Sequence, residues 1–238
     1  MAGLERCGYR VTFERPAQPA PGDVLLIWNR YGHWHDMASR FAARGCAVLV
    51  AENGYLGRDW RGGHWYALAR DYHNGAGRWP VVPGRWASWG VELAPWREAG
   101  DELVLLNTRG IGPRGVAQPA SWLREVVAAL TSAGHAVRVR EHPGERPAVP
   151  LEDDLARAWA VVTWGSGGAL KALTWGVPVF YGFPCWIGAP AGRLLGPAVL
   201  APRCGDRLPM FERLAGAMWN TEELATGAPF RALLGLAA

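Results

Sequence analysis

A turn rich in glycine and serine joins a β-branched run to a helix-forming run, and its residues suit an anion. It occupies residues 164–168, directly after the β-branched run 161–163. This order places the backbone N–H groups of Gly167 and Gly168 at a helix N-terminus, where unpaired donors and the helix dipole favour phosphate. Glycine lets an anion approach the backbone, and the hydroxyl of Ser166 can add a donor. The turn therefore predicts a phosphate site, although it can also simply connect a strand to a helix.

Three further polar residues follow predicted strands closely, as Ser166 does; they are Glu52, Arg109 and His142. Ligands of doubly wound α/β sheets bind beyond the carboxyl ends of the strands, so these side chains are candidate site residues. His142 can donate to a phosphate, and Arg109 can stabilise a leaving diphosphate. The alternatives are a turn histidine without a ligand and a surface arginine that caps a carbonyl group.

The composition indicates a globular, basic protein. Hydrophobic residues make up 50% of the 238 residues and charged residues 19%, so a buried core is expected. No apolar run approaches the roughly 20 residues that span a bilayer, and no secretory signal is recognised, so we expect a cytoplasmic protein without membrane contact. The net charge is +4 and Lys171 is the only lysine, so arginine supplies most positive charge. Arginine forms bidentate hydrogen bonds with phosphate and stacks on bases, and its predominance therefore favours a polyanionic partner.

The spacing of cysteine and histidine does not favour a metal centre. The cysteines are far apart and are expected to be reduced thiols; they are Cys7, Cys46, Cys185 and Cys204. The run His33-Trp34-His35-Asp36 could chelate a metal, but no second cluster with ligand spacing supports it. We therefore expect a protein that works without a metal ion or a bound cofactor.

The order of the predicted elements indicates an α/β fold with two lobes. Strands at 23–29 and 47–51 flank a helix from Asp36 to Ala43, and this βαβ order implies a parallel sheet. Further strands are predicted at 102–106, at 137–140 and before the Ser/Gly turn, and further helices at 120–133, 151–158, 210–218 and 221–226. The expected architecture is two small Rossmann-like lobes, residues 1–115 and 116–238, with mostly parallel sheets around a cleft.

The segment from Tyr55 to Arg97 lacks clear periodicity and is expected to be a loop-rich insertion in the N-terminal lobe. Its tryptophans are interleaved with arginine and glycine, so the rings could stack on nucleic-acid bases while the arginines contact phosphates. The candidate nucleic-acid residues are Arg58, Trp60, Arg61, Arg78, Trp79 and Arg85. The alternative is a core or lid built from packed rings.

Two motifs resemble the donor half of GT-B-type nucleotide-sugar glycosyltransferases. They are Arg140-Glu141-His142-Pro143-Gly144 and the run 163–168, which is followed by Gly176-Val177-Pro178-Val179. An HP turn and a Ser/Gly turn in this order resemble those of sialyl- and Kdo-transferase-like families. The resemblance implies that the histidine and the Ser/Gly turn hold the donor phosphates, with residues 1–115 on the acceptor side and 116–238 binding the donor.

The overall layout also resembles small phage-encoded glycosyltransferases that modify hydroxymethylated pyrimidines in DNA. The residues behind this second resemblance are the runs 28–32, 51–55, 73–77 and 109–112. It implies hexosyl transfer from a nucleotide sugar, with a UDP-sugar expected, to a DNA acceptor in the host cytoplasm.

One position departs from the GT-B pattern. Many GT-B donor lobes place a glutamate on the helix after the Ser/Gly turn to hold the ribose hydroxyls, whereas this chain has Lys171. A cation cannot accept hydrogen bonds from ribose, but it can pair with a phosphate or an acidic sugar.

Inverting transfer to a hydroxyl requires a base that takes the acceptor proton as the new O–C bond forms. Glu52 is the first candidate, because partial burial at a strand end would raise its pKa. Asp36 is the second, with a helix N-cap as its alternative role. His33 and His35 come third, and either could instead bond loop carbonyls.

The leading hypothesis is a glycosyltransferase that moves a sugar to a 5-hydroxymethylcytosine-like base in DNA. One alternative is a glycosyltransferase that uses a CMP- or UDP-sugar to build a surface polysaccharide. The other is a non-enzymatic nucleic-acid-binding module whose Ser/Gly turn grips backbone phosphate.

Overall fold

The computed structural model describes residues 1–14, 16, 18–112, 115–142, 144, 149–196 and 201–237. The chain forms two compact units, Met1–Ser88 with Phe211–Ala238 and Trp89–Met210. The strands are β1 (Val24–Trp28), β2 (Ala47–Asn53), β3 (Trp65–Arg70), β4 (Glu102–Leu106), β5 (Val137–Arg140), β6 (Ala158–Thr163), β7 (Val179–Tyr181), β8 (Arg193–Leu194) and β9 (Met218–Asn220). The helices are α1 (Ala2–Glu5), α2 (His33–Ala43), α3 (Arg85–Ser88), α4 (Trp122–Ser132), α5 (Leu151–Asp154), α6 (Gly167–Thr174), α7 (Leu208–Ala217), α8 (Thr221–Ala225) and α9 (Ala228–Leu234).

The first unit contains a sheet in the strand order β1-β2-β3-β9. β1 runs parallel to β2, as predicted, whereas β2 pairs with β3 and β3 with β9 in antiparallel directions. The sequence pattern leaves β3 in the loop-rich insertion. Trp65 and the run 67–69 are buried, so this central strand lacks the alternation of apolar and polar residues that marks a half-exposed strand.

The second unit contains a sheet in the order β5-β4-β6-β7-β8, and each pair of neighbours in it is parallel. The predicted α/β class is confirmed. β4 pairs with both β5 and β6, so it belongs to the second unit rather than to a lobe of residues 1–115. The chain returns to the first unit after residue 210, where β9 pairs with β3. The division of the structure therefore differs from the predicted boundary at residue 115, because strand pairing and not chain order decides where each segment packs.

Both faces of the first sheet are covered. Val48 and Val50 pack with Met37 and Phe41 of α2 on one face. Leu49 faces the other way, into a cluster with C-terminal residues that include Trp219, Phe230 and Leu233. Burial on both faces explains why residues 47–51 of β2 are continuously apolar in the sequence.

The core of the second unit lies against α4. Leu103, Leu105 and Val162 pack with Trp122 and Leu130 of that helix. The predicted helix at 120–133 is therefore confirmed, with its apolar face turned to the sheet. The edge at which β5, β4 and β6 end carries the candidate residues of this unit.

Several helix bounds differ from the sequence-based ones. α2 begins at His33 rather than Asp36, after Gly32 at the N-cap. α5 ends at Asp154, because residues 158–163 form β6. α9, which the sequence pattern left unassigned, has a proline in its first turn and a left-handed Gly235 at its C-terminus. Across the described ranges, no helix is both long and apolar enough to cross a membrane.

Candidate functional site

The candidate donor residues of the second unit lie at one edge of its sheet. β5, β4 and β6 are adjacent and parallel, so their carboxyl ends point the same way. His142 follows β5, Arg109 follows β4 and Ser166 follows β6. The structure therefore brings the three predicted loops to a single edge, where ligands of parallel α/β sheets bind.

Ser166 is the N-cap of α6. Its hydroxyl oxygen accepts a hydrogen bond from the N–H of Gly168 at 3.1 Å. Its own N–H donates to the hydroxyl oxygen of Thr163 at 3.0 Å, and that hydroxyl donates to the carbonyl of Leu106 at 3.2 Å. The predicted phosphate site is therefore smaller than expected, because the N–H of Gly168 already donates to the hydroxyl of Ser166. Gly167 is exposed at the first helical position, where an N–H has no acceptor within its helix.

The turn has little room for a larger residue at position 168. A Cβ atom on Gly168 would lie 3.1 Å from the Leu151 side chain and 3.4 Å from that of Leu106. Lys171 lies one helical turn after Gly167 and is half-buried. Burial lowers the pKa of Lys171. Among the described residues, its ammonium group has no ion-pair partner.

His142 is held in one tautomer. The N–H of Gly144 donates to its Nδ1 at 3.0 Å, so a neutral ring carries its proton on Nε2. Partial burial lowers the pKa of His142, and the positive charge of nearby Arg109 lowers it further. Pro143, the second residue of the HP turn, lies outside the described residues. At neutral pH the ring is therefore an uncharged donor beside an exposed arginine.

A polar network that sequence reasoning missed ties the β4 and β5 loops together. Gln118 Oε1 accepts from the N–H and the hydroxyl of Thr108, at 3.2 and 2.9 Å. Gln118 Nε2 donates to Asn107 Oδ1 at 2.7 Å, and Asn107 Nδ2 donates to Glu141 Oε2 at 2.7 Å. These bonds fix the residues that directly precede Arg109 and His142, namely Thr108 and Glu141. The sequence does contain a sign of this network, because Asn107 and Glu141 are polar residues that directly follow β4 and β5, and these two strands are neighbours in the sheet.

An aromatic cluster adjoins the Ser/Gly turn. The ring of Trp164 stacks on Phe183, with centroids 6.1 Å apart, and meets Trp122 edge-on at 5.6 Å. Its Nε1–H donates to the carbonyl of Val116 at 2.8 Å. Gly182 is required beside it, since a Cβ there would come within 2.6 Å of the Trp164 ring. Trp122 and Phe183 are buried, so this cluster packs the turn against the core of the second unit.

Glu52, in the first unit, has the environment that was predicted for a base. Its Oε1 accepts from the N–H of Asn74 at 3.1 Å, and it shares a hydrogen bond with Tyr55. Burial raises the pKa of Glu52, and the nearby His73 together with these hydrogen bonds offsets part of the increase. Tyr55 and His73 are site residues that the sequence did not single out, because their contact with Glu52 depends on the fold of the loop after β3.

The other base candidates lie on the first turn of α2. His33, His35 and Asp36 are exposed there, and Asp36 is not the N-cap, since Gly32 occupies that position. The described part of the chain contains no group of three or more His, Cys, Asp or Glu residues placed to hold a metal. The four cysteines are free thiols, as expected. Metal independence stays a prediction.

The residues predicted to contact nucleic acid fall into two groups. Arg58 is exposed, and Arg61 lies 5.6 Å from the ring of Trp60 on an outer turn. Arg78 pairs with Asp71. These side chains lie at or near the surface, whereas Trp79 and Arg85 are fixed by contacts within the first unit.

Trp79 and Arg85 have structural contacts instead. The Trp79 Nε1–H donates to the carbonyl of Arg213 at 2.7 Å. Arg85 is 10% exposed, pairs with Glu223 at 2.7 Å and lies 4.0 Å from the ring centroid of Trp219. It also donates to main-chain carbonyls in the C-terminal segment. The expected phosphate contact of Arg85 is therefore replaced by a role in attaching this segment to its unit.

Two solved structures share the architecture of this chain. One is Thermosulfurimonas dismutans KpsC, beta Kdo 2,4 transferase, with a TM-score of 0.54 and 15% identity over 84% of this chain and 85% of that chain. The other is the beta Kdo 2,7 transferase of the same KpsC, with a TM-score of 0.54 and 16% identity over 88% of this chain and 85% of that chain. No protein-family model and no curated protein matches the sequence. The likeness shows the fold: this chain has a GT-B-like α/β fold.

The candidate residues of the two units differ in their chemistry. The edge of the second sheet offers uncharged and cationic donors that suit a phosphate, from His142, Arg109 and Gly167. The first unit offers a carboxyl group with a raised pKa, Glu52, which suits proton transfer.

Proposed function

We propose that this chain is a glycosyltransferase that moves a sugar from a nucleotide-activated donor to a growing surface glycan. The observation that carries the proposal is the shared sheet edge at which Arg109, His142 and the Ser166 turn follow three adjacent parallel strands. The fold shared with two Kdo transferases supports it, and supports a glycan acceptor over the DNA acceptor of our leading sequence-based hypothesis.

The donor phosphate, in this proposal, binds in the second unit. It receives the Nε2–H of His142, the guanidinium of Arg109 and the exposed N–H of Gly167. Negative charge grows on the phosphate oxygen as its bond to the sugar carbon breaks. These donors therefore stabilise the leaving nucleotide more than the intact donor, which lowers the barrier. Side chains balance the charge, without a metal ion.

Lys171 favours a donor that carries an acidic group. Its ammonium is half-buried and has no carboxylate partner among the described residues. A cation in this position can bind a phosphate or a sugar carboxylate, and cannot accept from ribose hydroxyls. We therefore propose a CMP-linked acidic sugar as the donor, and the UDP-sugar predicted from the sequence is the alternative.

Glu52 is the proposed base. The acceptor hydroxyl attacks the sugar carbon, a new C–O bond forms, and the hydroxyl proton passes to a Glu52 carboxylate oxygen. The raised pKa of Glu52 brings the group closer to neutral pH, where a base is most effective. The N–H of Asn74 holds one carboxylate oxygen in place.

The first experiment is a thermal-shift screen with CMP, UDP and GDP. A nucleotide at 100 times its Kd should stabilise the protein by about 2.7 kcal/mol. Ser166→Trp should abolish this stabilisation, because the indole would cover the turn. Ser39→Trp, at an exposed position of α2, is the matched control and should leave the shift unchanged.

Nucleotide release then identifies the acceptor. The protein is mixed with the corresponding nucleotide sugars and either an oligosaccharide or DNA that contains 5-hydroxymethylcytosine. Release with the oligosaccharide, lost in Glu52→Gln, supports the proposal. Release with the DNA alone would restore the DNA hypothesis. A protein that none of the nucleotides stabilises and that releases none of them is not a glycosyltransferase of this kind.

A further inference from the structure

Arg30 is a buried arginine at the end of β1. It is 7% exposed, and its guanidinium carbon lies 4.2 Å from the centre of the Tyr72 ring. Its Nη1 donates to the main-chain carbonyl of Asp71 at 2.5 Å. These contacts hold the guanidinium in place through a neutral oxygen and an aromatic face.

No anion among the described residues balances the charge of Arg30. Its Nε is buried and has no hydrogen-bond acceptor there, and no carboxylate lies within ion-pair distance. The carboxylate of Asp71, the residue that binds Arg30 through its carbonyl, pairs with Arg78 instead. Buried charges in proteins are normally paired, because an unpaired charge loses its hydration without compensation. This arrangement therefore suits an anion from outside the chain.

Arg30 and Glu52 lie at the same edge of the first sheet. Their strands are parallel neighbours, and the N–H of Asn29 donates to the carbonyl of Ala51 at 2.9 Å. One loop contacts both side chains: Asp71 accepts from Arg30, and Asn74 donates to Glu52. The cation and the proposed base are thus positioned by a common segment.

We propose that Arg30 forms a subsite for an anionic group, a carboxylate or a phosphate, on the acceptor sugar. This inference rests on the proposed function, because it treats Glu52 as the base for an acceptor hydroxyl. The guanidinium is suited to such oxygens, since it presents fixed N–H donors to them. Trp28, the last residue of β1, is 45% exposed, and its ring meets that of Tyr66 edge-on at 6.2 Å.

The test is charge discrimination by the intact protein. The affinities of methyl glucuronide, glucose 6-phosphate and neutral methyl glucoside are measured by NMR titration. The wild-type protein should bind at least one of the anionic sugars about tenfold or more tightly than the neutral one, which corresponds to about 1.4 kcal/mol. The carboxylate and phosphate arms show which anion the subsite prefers.

Two variants separate binding from folding. Arg30→Gln should reduce the discrimination to within about twofold. Arg30→Lys should retain part of it, since the positive charge remains but the paired N–H donors of the guanidinium group are lost. Arg207→Gln is the matched control, because Arg207 is 5% exposed, stacks 4.1 Å from Trp96 and likewise has buried guanidinium nitrogens without acceptors among the described residues, but it lies in the second unit, whereas the loop of Asp71 and Asn74 belongs to the first. It should leave the discrimination unchanged.

The outcomes separate the subsite from the proposed function. Equal affinity of the wild-type protein for charged and neutral sugars would overturn the subsite, even if sugar transfer proceeds. Unchanged discrimination in a folded Arg30→Gln protein would overturn it as well. Discrimination that depends on Arg30 without release of any nucleotide would support the subsite and remove the proposed function. Arg30-dependent binding of a DNA duplex without binding of either anionic sugar would overturn the choice of a sugar.

Discussion

The N–H of Gly144 donates to Nδ1 of His142 at 3.0 Å, so the ring reserves its Nε2–H for a ligand. Burial and Arg109 both lower the pKa of this histidine below its usual 6.5. The protein therefore keeps the His142 ring neutral. A protonated ring would bind phosphate more strongly, but its positive charge would repel the guanidinium of Arg109.

Replacing Arg109 with alanine should raise the pKa of His142 toward 6.5, since one of the two causes of the depression is removed. Burial, the larger cause, should keep the value below 6.5. An NMR titration of the histidine ring protons measures the change. Arg124→Ala, at an exposed position of α4, should leave the titration unchanged. An unaltered His142 titration in Arg109→Ala would show that the two side chains do not interact.

Ser166→Ala should cost about 1 kcal/mol of the free energy of unfolding, because the N-cap bond to Gly168 is lost. Urea denaturation measures this cost. Nucleotide affinity should fall as well, since the turn loses a hydroxyl and its fixed geometry. A variant with full stability would contradict the cap, and a destabilised variant with full affinity would show that the hydroxyl acts only on folding.

Gly168→Ala should lower nucleotide affinity while leaving the stability of the fold nearly unchanged. The methyl group would lie 3.1 Å from a flexible Leu151 side chain, which can shift, and alanine favours the helix, so stability should change by less than about 1 kcal/mol. Nucleotide affinity should fall about tenfold or more, because the methyl group hinders approach of an anion to the backbone. Isothermal titration with CMP or UDP measures it. Unchanged affinity would place the phosphate elsewhere.

Glu52→Gln should change how stability depends on pH. The folded state holds the Glu52 proton more tightly than the unfolded state, because its pKa is raised above 4.5. Glu52 therefore stabilises the wild-type protein most at low pH, and this contribution is lost as the pH rises through the folded-state pKa. The variant should become more stable relative to wild type over that range. Urea unfolding at a series of pH values measures the difference, and a difference that does not vary with pH would argue against a buried, protonated Glu52.

The pH dependence of sugar transfer should also reflect the ionisation of Glu52. A base must be ionised, so the wild-type rate should fall as the pH drops through the raised pKa of Glu52. Glu52→Gln should lose transfer at every pH while its thermal shift with nucleotide remains. Transfer that persists in Glu52→Gln would show that another group is the base.

Arg85→Met should destabilise the protein by about 3 kcal/mol, because Glu223 would lose its partner in a mostly buried pair. Arg58→Met, at an exposed position of the same unit, should change stability by less than about 0.5 kcal/mol. Thermal or urea unfolding measures both. If Arg85→Met is as stable as Arg58→Met, the pair of Arg85 with Glu223 does not stabilise the fold.

Local patterns in the sequence were sufficient for the elements whose chemistry is local. Ser166 before two glycines predicts an N-cap and a helix start, and the structure has both. The buried strands β2 and β4 and the amphipathic helix α4 were likewise predicted close to their observed bounds. β3 was not, since a strand buried on both faces has no alternation to detect.

The candidate residues at the strand ends can be identified from the amino-acid order alone, because strand, turn and helix signals depend on neighbours along the chain. Which of these residues meet depends on how the strands pair and pack. The tertiary structure set β4 between β5 and β6, and so joined the loops of Arg109, His142 and Ser166. It brought Asn74 to Glu52, set Arg30 against Tyr72 and used Arg85 to hold the C-terminal segment. These pairings join residues far apart in the chain, and their free energy depends on distances and burial that no local pattern contains.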